Sequence, residues 1–170
     1  REDAGPKVVI DVESVAFILN AELGPRWADA DSETLRSHVR THGIVLREKY
    51  RHLFRDAAVG PYVAVSYQWK ALLGDILDQV NGALEMDMDR KGMSHFWLDI
   101  LAVRQQDAEV AAEMRVVHEV YAGADVHVVS DAANLQRAWV LYEVAFGSLD
   151  KSNNIAKHPL LASGATSTVG

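Results

Sequence analysis

The 170 residues contain no cysteine. That absence removes disulfide bonds, thiolate nucleophiles and Cys-ligated zinc together. No apolar run approaches the ~20 residues a membrane-crossing helix needs, so no membrane partner is expected. Positive charge is scarce as well: 17 Lys and Arg stand against 24 Asp and Glu, a formal net charge of −7. A protein that binds nucleic acid by releasing counterions from phosphates needs the opposite balance, so nucleic acid is not an expected partner. Neither a Walker pattern nor a G-x-G-x-x-G run is present to cradle a phosphate. What is plentiful is apolar: 49% of the chain, enough for a packed core. The length fits one domain, and a chain without cysteine is compatible with the cytoplasmic location we expect.

Periodicity divides the chain at Gly60-Pro61, its clearest break. Before it, Lys7 to Val12 (KVVIDV) reads as a strand or extended segment, Gly24-Pro25 as a turn, and Asp31 to His42 as a helix ended by Gly43. The basic cluster from Arg47 to Arg55 reads as part of an amphipathic surface helix. Residues 1–60 thus form an N-terminal elaboration packed on the core.

From 61 to about 150 a regular rhythm follows. Tyr62 to Ser66 (YVAVS), His95 to Leu101 (HFWLDIL) and Asp125 to Ser130 (DVHVVS) are short, nearly continuous apolar strands. Helices are expected at Lys70 to Met86, Asp107 to Ala122 and Gln136 to Phe146, with a polar loop from Asp87 to Ser94. Strands alternating with helices of ten or more residues indicate βαβ units, hence an α/β fold on a parallel sheet covered on both faces. Residues 151–170 form a C-terminal segment expected to be partly flexible.

In open α/β sheets, ligands bind just beyond the carboxyl ends of the strands. The first strand is followed there by Ser66, Tyr67, Gln68 and Trp69. The second carries Asp99 and leads to Arg104, Gln105, Gln106 and Asp107. The third is followed by Ser130, Asp131, Arg137, Trp139 and Glu143. Aromatics that can stack on a base, with carboxylates and amides for hydroxyl groups, suit a nucleotide or a sugar. Composition alone leaves Trp69 and Trp139 equally readable as helix-to-sheet packing. Glu143 lies four residues after Trp139, on the same helical face and beside Leu141, Val144 and Ala145. It is either a surface carboxylate at the edge of an apolar stripe or a site residue whose pKa its surroundings raise.

Four of these segments together resemble the fungal heterokaryon-incompatibility (HET) domain. Tyr62 to Trp69 (YVAVSYQW) is similar to its opening strand with Ser-Tyr-x-Trp. Phe96 to Gln105 (FWLDILAVRQ) is similar to its second strand with Asp and then Gln. Met114 with Val120 to Ala124 (VYAGA) resembles its Met and Ile-Tyr-x-x-Ala helix, and Arg137-x-Trp139-x-x-x-Glu143 its closing motif. The layout also resembles the TIR domains, whose Trp-Cys-Leu-x-Glu-Leu motif is matched by Trp139 to Val144 with Val140 in place of Cys. The resemblance spans about Tyr62 to Gly147. Lys70 and Arg104 depart from it, standing where HET domains usually have Gly and Asn.

The resemblance implies a flavodoxin-like, TIR-like core and cleavage of NAD⁺ between nicotinamide and ribose, in a defence or cell-death system. NAD⁺ is then substrate and no cofactor or metal is required. Glu143 would be the catalytic carboxylate, stabilising positive charge at the anomeric carbon of an oxocarbenium-like transition state. Ser66, Tyr67, Trp69, Asp99, Arg104, Gln105 and Trp139 would shape the substrate pocket. Self-association is implied too, and a non-catalytic assembly module on the same fold is the competing reading.

Other spacings carry less. His38 and His42 stand at i, i+4, but Val39 replaces the Glu a metalloprotease helix needs. Glu85 to Gly92 hints at a calcium loop without its later ligands and distal Glu. His118 sits in an amphipathic helix and is expected to be structural.

Overall fold

The computed structural model describes residues 5–68, 70–91, 93–106, 110, 112–113 and 115–129. The elements with defined bounds are β1 (Val8–Asp11), α1 (Val12–Leu23), α2 (Ser32–Thr41), α3 (Leu46–Lys49), β2 (Arg55–Asp56), β3 (Val63–Ser66), α4 (Leu73–Lys91), β4 (His95–Trp97), α5 (Asp99–Ala102), α6 (Val117–Gly123) and β5 (Val126–Val129), and residues 110 and 112–113 are helical as well. Single 3₁₀ turns fill Trp27–Asp29, Arg51–Leu53 and Ala57–Val59.

The sheet runs in the order β2-β1-β4-β3-β5. β4, β3 and β5 are parallel, with Val63 opposite both Phe96 and Val126. β1 lies antiparallel to β4 (Ile10 opposite Phe96), and the two-residue β2 extends the antiparallel edge. The α/β class read from the sequence is therefore present, but the sheet is mixed where a parallel one was expected. The reason lies before Gly60: β1 feeds straight into α1 and joins the sheet from the opposite direction. Residues 5–60 contribute two strands and three helices to the same body.

The chain passes from β3, the middle of the three parallel strands, through α4 to β4 on one side, then through α6 to β5 on the other. Right-handed crossovers in opposite directions must put their helices on opposite faces, and they do. Val63, Val65 and Tyr67 point into a core shared with Phe96, Leu98 and helices α1, α2 and α4. Tyr62, Ala64 and Trp97 point into a second core with Val117, Val120 and Tyr121 of α6. Alternation along the strand produces this division.

Local signals explain the helices. Asp11 caps α1 by accepting from Ser14 N at 2.7 Å, and Asp31 caps α2 by accepting from Thr34 N at 2.8 Å. Val15, Ile18 and Leu19 bury one face of α1; Leu35 and Val39 bury one face of α2. Gly24 and Gly43 end these helices with φ of 88° and 62°, a region L-residues avoid. In α4, Leu73, Ile76, Leu77, Val80, Ala83 and Leu84 give the buried stripe.

Several expectations need correction. The polar loop expected at 87–94 is mostly helix: α4 continues to Lys91, because Ala83 to Lys91 holds good helix formers and no breaker before Gly92. The second strand ends at Trp97 rather than Leu101, since Asp99–Ala102 turns into α5. The basic cluster of 47–55 is no continuous surface helix. Only Leu46–Lys49 is α-helical, and the Arg47 side chain is 2% exposed. Among the described residues, no helix is long and apolar enough to cross a membrane. The expected helix at 136–146 and the C-terminal segment lie outside the described residues.

Candidate functional site

β3 lies between β4 and β5, parallel to both, so the connections to these two strands leave in opposite directions; in such sheets the usual ligand position is a crevice at the carboxyl ends of the strands beside that point. Tyr67 follows β3 directly and Asp99 stands one residue beyond Leu98, which follows β4. The Tyr67 hydroxyl donates to Asp99 Oδ1 at 2.5 Å. Burial, and then the Asp99 charge and hydrogen bond, push the Tyr67 hydroxyl well above the usual phenol range; Arg36 and a hydrogen bond from Ser32 offset part of this. Tyr67 is thus a neutral donor at all ordinary pH values.

Gln105 joins the same cluster. Its Nε2 donates to Val103 O at 2.8 Å and Asp99 O at 3.4 Å, closing the turn that follows β4. Its Oε1 accepts from Arg36 Nε at 3.1 Å. Tyr67, Asp99 and Gln105, three of the sequence-derived candidates, are therefore brought together. Ser66 and Arg104 go elsewhere. Ser66 points to the opposite face of the sheet, where its hydroxyl meets Tyr121 Oη at 3.5 Å. Arg104 Nη2 pairs with Glu48 Oε2 at 3.0 Å, and its backbone N–H donates to Glu113 Oε1 at 2.6 Å. Trp69, Trp139 and Glu143 lie outside the described residues, as do Ser130, Asp131 and Arg137.

Sequence reasoning missed two contributors from α2, Ser32 and Arg36, and one from α3, Arg47. Arg47 donates to Ala102 O at 2.7 Å and holds Glu113 through two contacts of 2.7 and 2.5 Å. It thereby fastens the end of α5 to α3. Ser32 and Arg36 flank the apolar Leu35 at helical spacing, a polar edge on a buried stripe. Only the fold reveals what that edge meets.

A second polar cluster lies away from the rim. Glu22 is approached by His38 Nε2 at 2.9 Å, by Lys49 Nζ at 2.6 Å and by the Tyr50 hydroxyl. Burial alone would raise its pKa, but these hydrogen bonds and the Lys49 charge outweigh it and hold Glu22 at about 2. The His38 and His42 rings are 4.6 Å apart. His38 faces Glu22, while His42 Nδ1 lies 2.9 Å from His38 O. At the amino end of β3, a cavity of about 330 Å³ is lined by Lys7, Gly60, Tyr62, Glu119 and Gly123, with Lys7 and Glu119 paired at 2.7 Å.

Comparison with protein-family models, with curated proteins and with solved structures gave no match.

Proposed function

We propose that the protein is an NAD⁺ hydrolase of the TIR/HET type, cleaving nicotinamide from ribose in a defence or cell-death system. The observation that supports this most is the strand order β4-β3-β5 with a polar cluster at its carboxyl rim. A first strand in the middle, a second on one side and a third on the other is how a flavodoxin-like sheet begins. Glu143 and Trp139 belong, by sequence, to the segment after β5, the strand that borders the crevice.

Nicotinamide leaves as a neutral molecule from a cationic ring, so its departure needs no general acid. A single carboxylate that holds ribose hydroxyls and faces the anomeric carbon would suffice, with water accepting the ribosyl cation, or an adenine nitrogen giving a cyclic product. In this reading Glu143 is that carboxylate, Trp69 and Trp139 stack on the rings, and Tyr67, Asp99 and Gln105 shape the rim.

The test is nicotinamide release from NAD⁺ by concentrated protein, with Glu143→Ala in parallel. Release by wild type alone supports the reading and the residue; release by both removes Glu143 from its role. One observation favours the competing module: Tyr67 gives its hydroxyl hydrogen to Asp99 and Gln105 donates its amide to the backbone carbonyls of Val103 and Asp99, bonds that a purely structural rim would also make. Silence from wild type, persisting under crowding or enforced assembly, would decide for that module.

A further inference from the structure

Helix α2 is anchored by apolar contacts, with Leu35 at 0% and Val39 at 1% exposure. Two polar side chains flank that apolar pair. Ser32, buried, and Arg36, one turn later, both reach the rim: Ser32 hydrogen-bonds the Tyr67 hydroxyl and Arg36 Nε donates to Gln105 Oε1 at 3.1 Å.

The Arg36 contact has a specific consequence for Gln105. A guanidinium can only donate, and a backbone carbonyl can only accept. With Arg36 on one side and the carbonyls of Val103 and Asp99 on the other, one orientation of the Gln105 amide satisfies all three. The reversed amide would set its NH₂ against the guanidinium and its oxygen against two carbonyls. Arg36 therefore reinforces, from the Oε1 side, the orientation in which Gln105 closes the turn that carries Asp99, and Asp99 accepts from Tyr67.

We infer that Arg36 and Ser32 are positioning residues: α2, from the segment before Gly60, holds Gln105, Asp99 and Tyr67 in register at the carboxyl ends of β3 and β4. The N-terminal segment is then a working wall of the crevice. The catalytic consequence rests on the proposed NAD⁺ cleavage; the positioning itself does not.

The experiment compares wild type, Arg36→Leu and Arg36→Lys. Side-chain amide signals of Gln105 and the carboxyl signal of Asp99 are followed by NMR without ligand, and kcat and KM are measured for nicotinamide release. Arg36→Leu should shift both sets of signals and lower kcat about 10- to 100-fold, the cost of small misplacement, while KM changes little. Arg36→Lys, which keeps a cationic donor, should recover most of kcat. Unshifted Gln105 signals in Arg36→Leu would overturn the positioning. A kcat loss that tracks a fall in Tm, without recovery in Arg36→Lys, would reduce Arg36 to a structural role. Wild type that releases no nicotinamide would defeat the proposed function alone, and the NMR signals would still decide the positioning.

Discussion

Tyr67 and Asp99, 32 residues apart in sequence, meet at 2.5 Å and join the loop after β3 to the turn after β4. Tyr67 is 6% exposed and supplies Asp99 Oδ1 with a donor from the core side. Tyr67→Phe leaves the Asp99 oxygen without that donor while keeping the ring in the core. A hydrogen bond to a charged group contributes roughly 1.5–3 kcal/mol, and the expected loss of stability, read from urea unfolding, lies in that range. Nicotinamide release, where measured, should fall as well. A variant as stable as wild type would show that the pair contributes nothing net.

Glu22 supplies a pH dependence with a defined sign. Its folded pKa is about 2 against an ordinary 4.5, so its contribution is fully present above pH 4.5 and is lost as pH falls towards 2. The difference corresponds to a contribution on the order of 3 kcal/mol. Glu22→Gln should therefore destabilise the protein strongly at pH 7 and far less at pH 3. Urea unfolding of both proteins across that interval is the check; a gap that stays constant with pH would place the effect in packing instead.

How much of this could be read in advance follows the range of the interactions involved. β3, β4, β5 and α2 were legible because their signals are local: β-branched apolar runs such as Val63 to Val65, and the Asp31 cap with Gly43 beyond the helix end. Tyr67, Asp99 and Gln105 were legible as a group because strand ends converge in any such sheet. The antiparallel β1 was not, since nothing within Val8–Asp11 says which neighbour it joins or in which direction. α1 was passed over because its buried set, Val15, Ile18 and Leu19, includes β-branched residues that mask a short helical stripe. Arg47 was misread because its meaning depends on Glu113, 66 positions away. A charge run looks solvated until its partner is known.

Arg47 and Glu113 make a buried bidentate pair, with side-chain exposures of 2% and 14%. Removing one partner of such a pair costs about 3–5 kcal/mol, mostly because the other charge stays behind. Arg47→Ala should fall near the lower end, since Glu113 still accepts the Arg104 N–H at 2.6 Å. Arg47→Met combined with Glu113→Gln removes both charges and keeps an acceptor for Arg104. The double variant should recover at least half of the loss in Cm or Tm. A double variant as unstable as Arg47→Ala would mean that the Arg47 contact to Ala102 O, not the charge pair, holds α3 to α5.

Two glycines in α4 give opposed expectations from the same substitution. Glycine inside a helix costs roughly 0.5–1 kcal/mol relative to alanine, so Gly→Ala is stabilising where space allows. At Gly82 a Cβ would meet nothing within 4 Å, and Gly82→Ala should raise stability by about that amount. At Gly74 the same atom would lie 2.9 Å from Ala28 Cβ and 3.1 Å from Ala28 O. The backbone there cannot yield without dragging the 27–31 segment off the start of α4. That shift would break the bond from Leu73 N to Ala30 O, now 2.8 Å. Gly74→Ala should therefore destabilise despite its better helix propensity, and the bonds of Gly24 to Asp31 should become easier for a protease to cut. Thermal unfolding of the two variants side by side tests the contact, because only at Gly74 would the added methyl meet backbone. Equal stabilisation by both would show that the turn at Trp27–Asp29 does not press on α4.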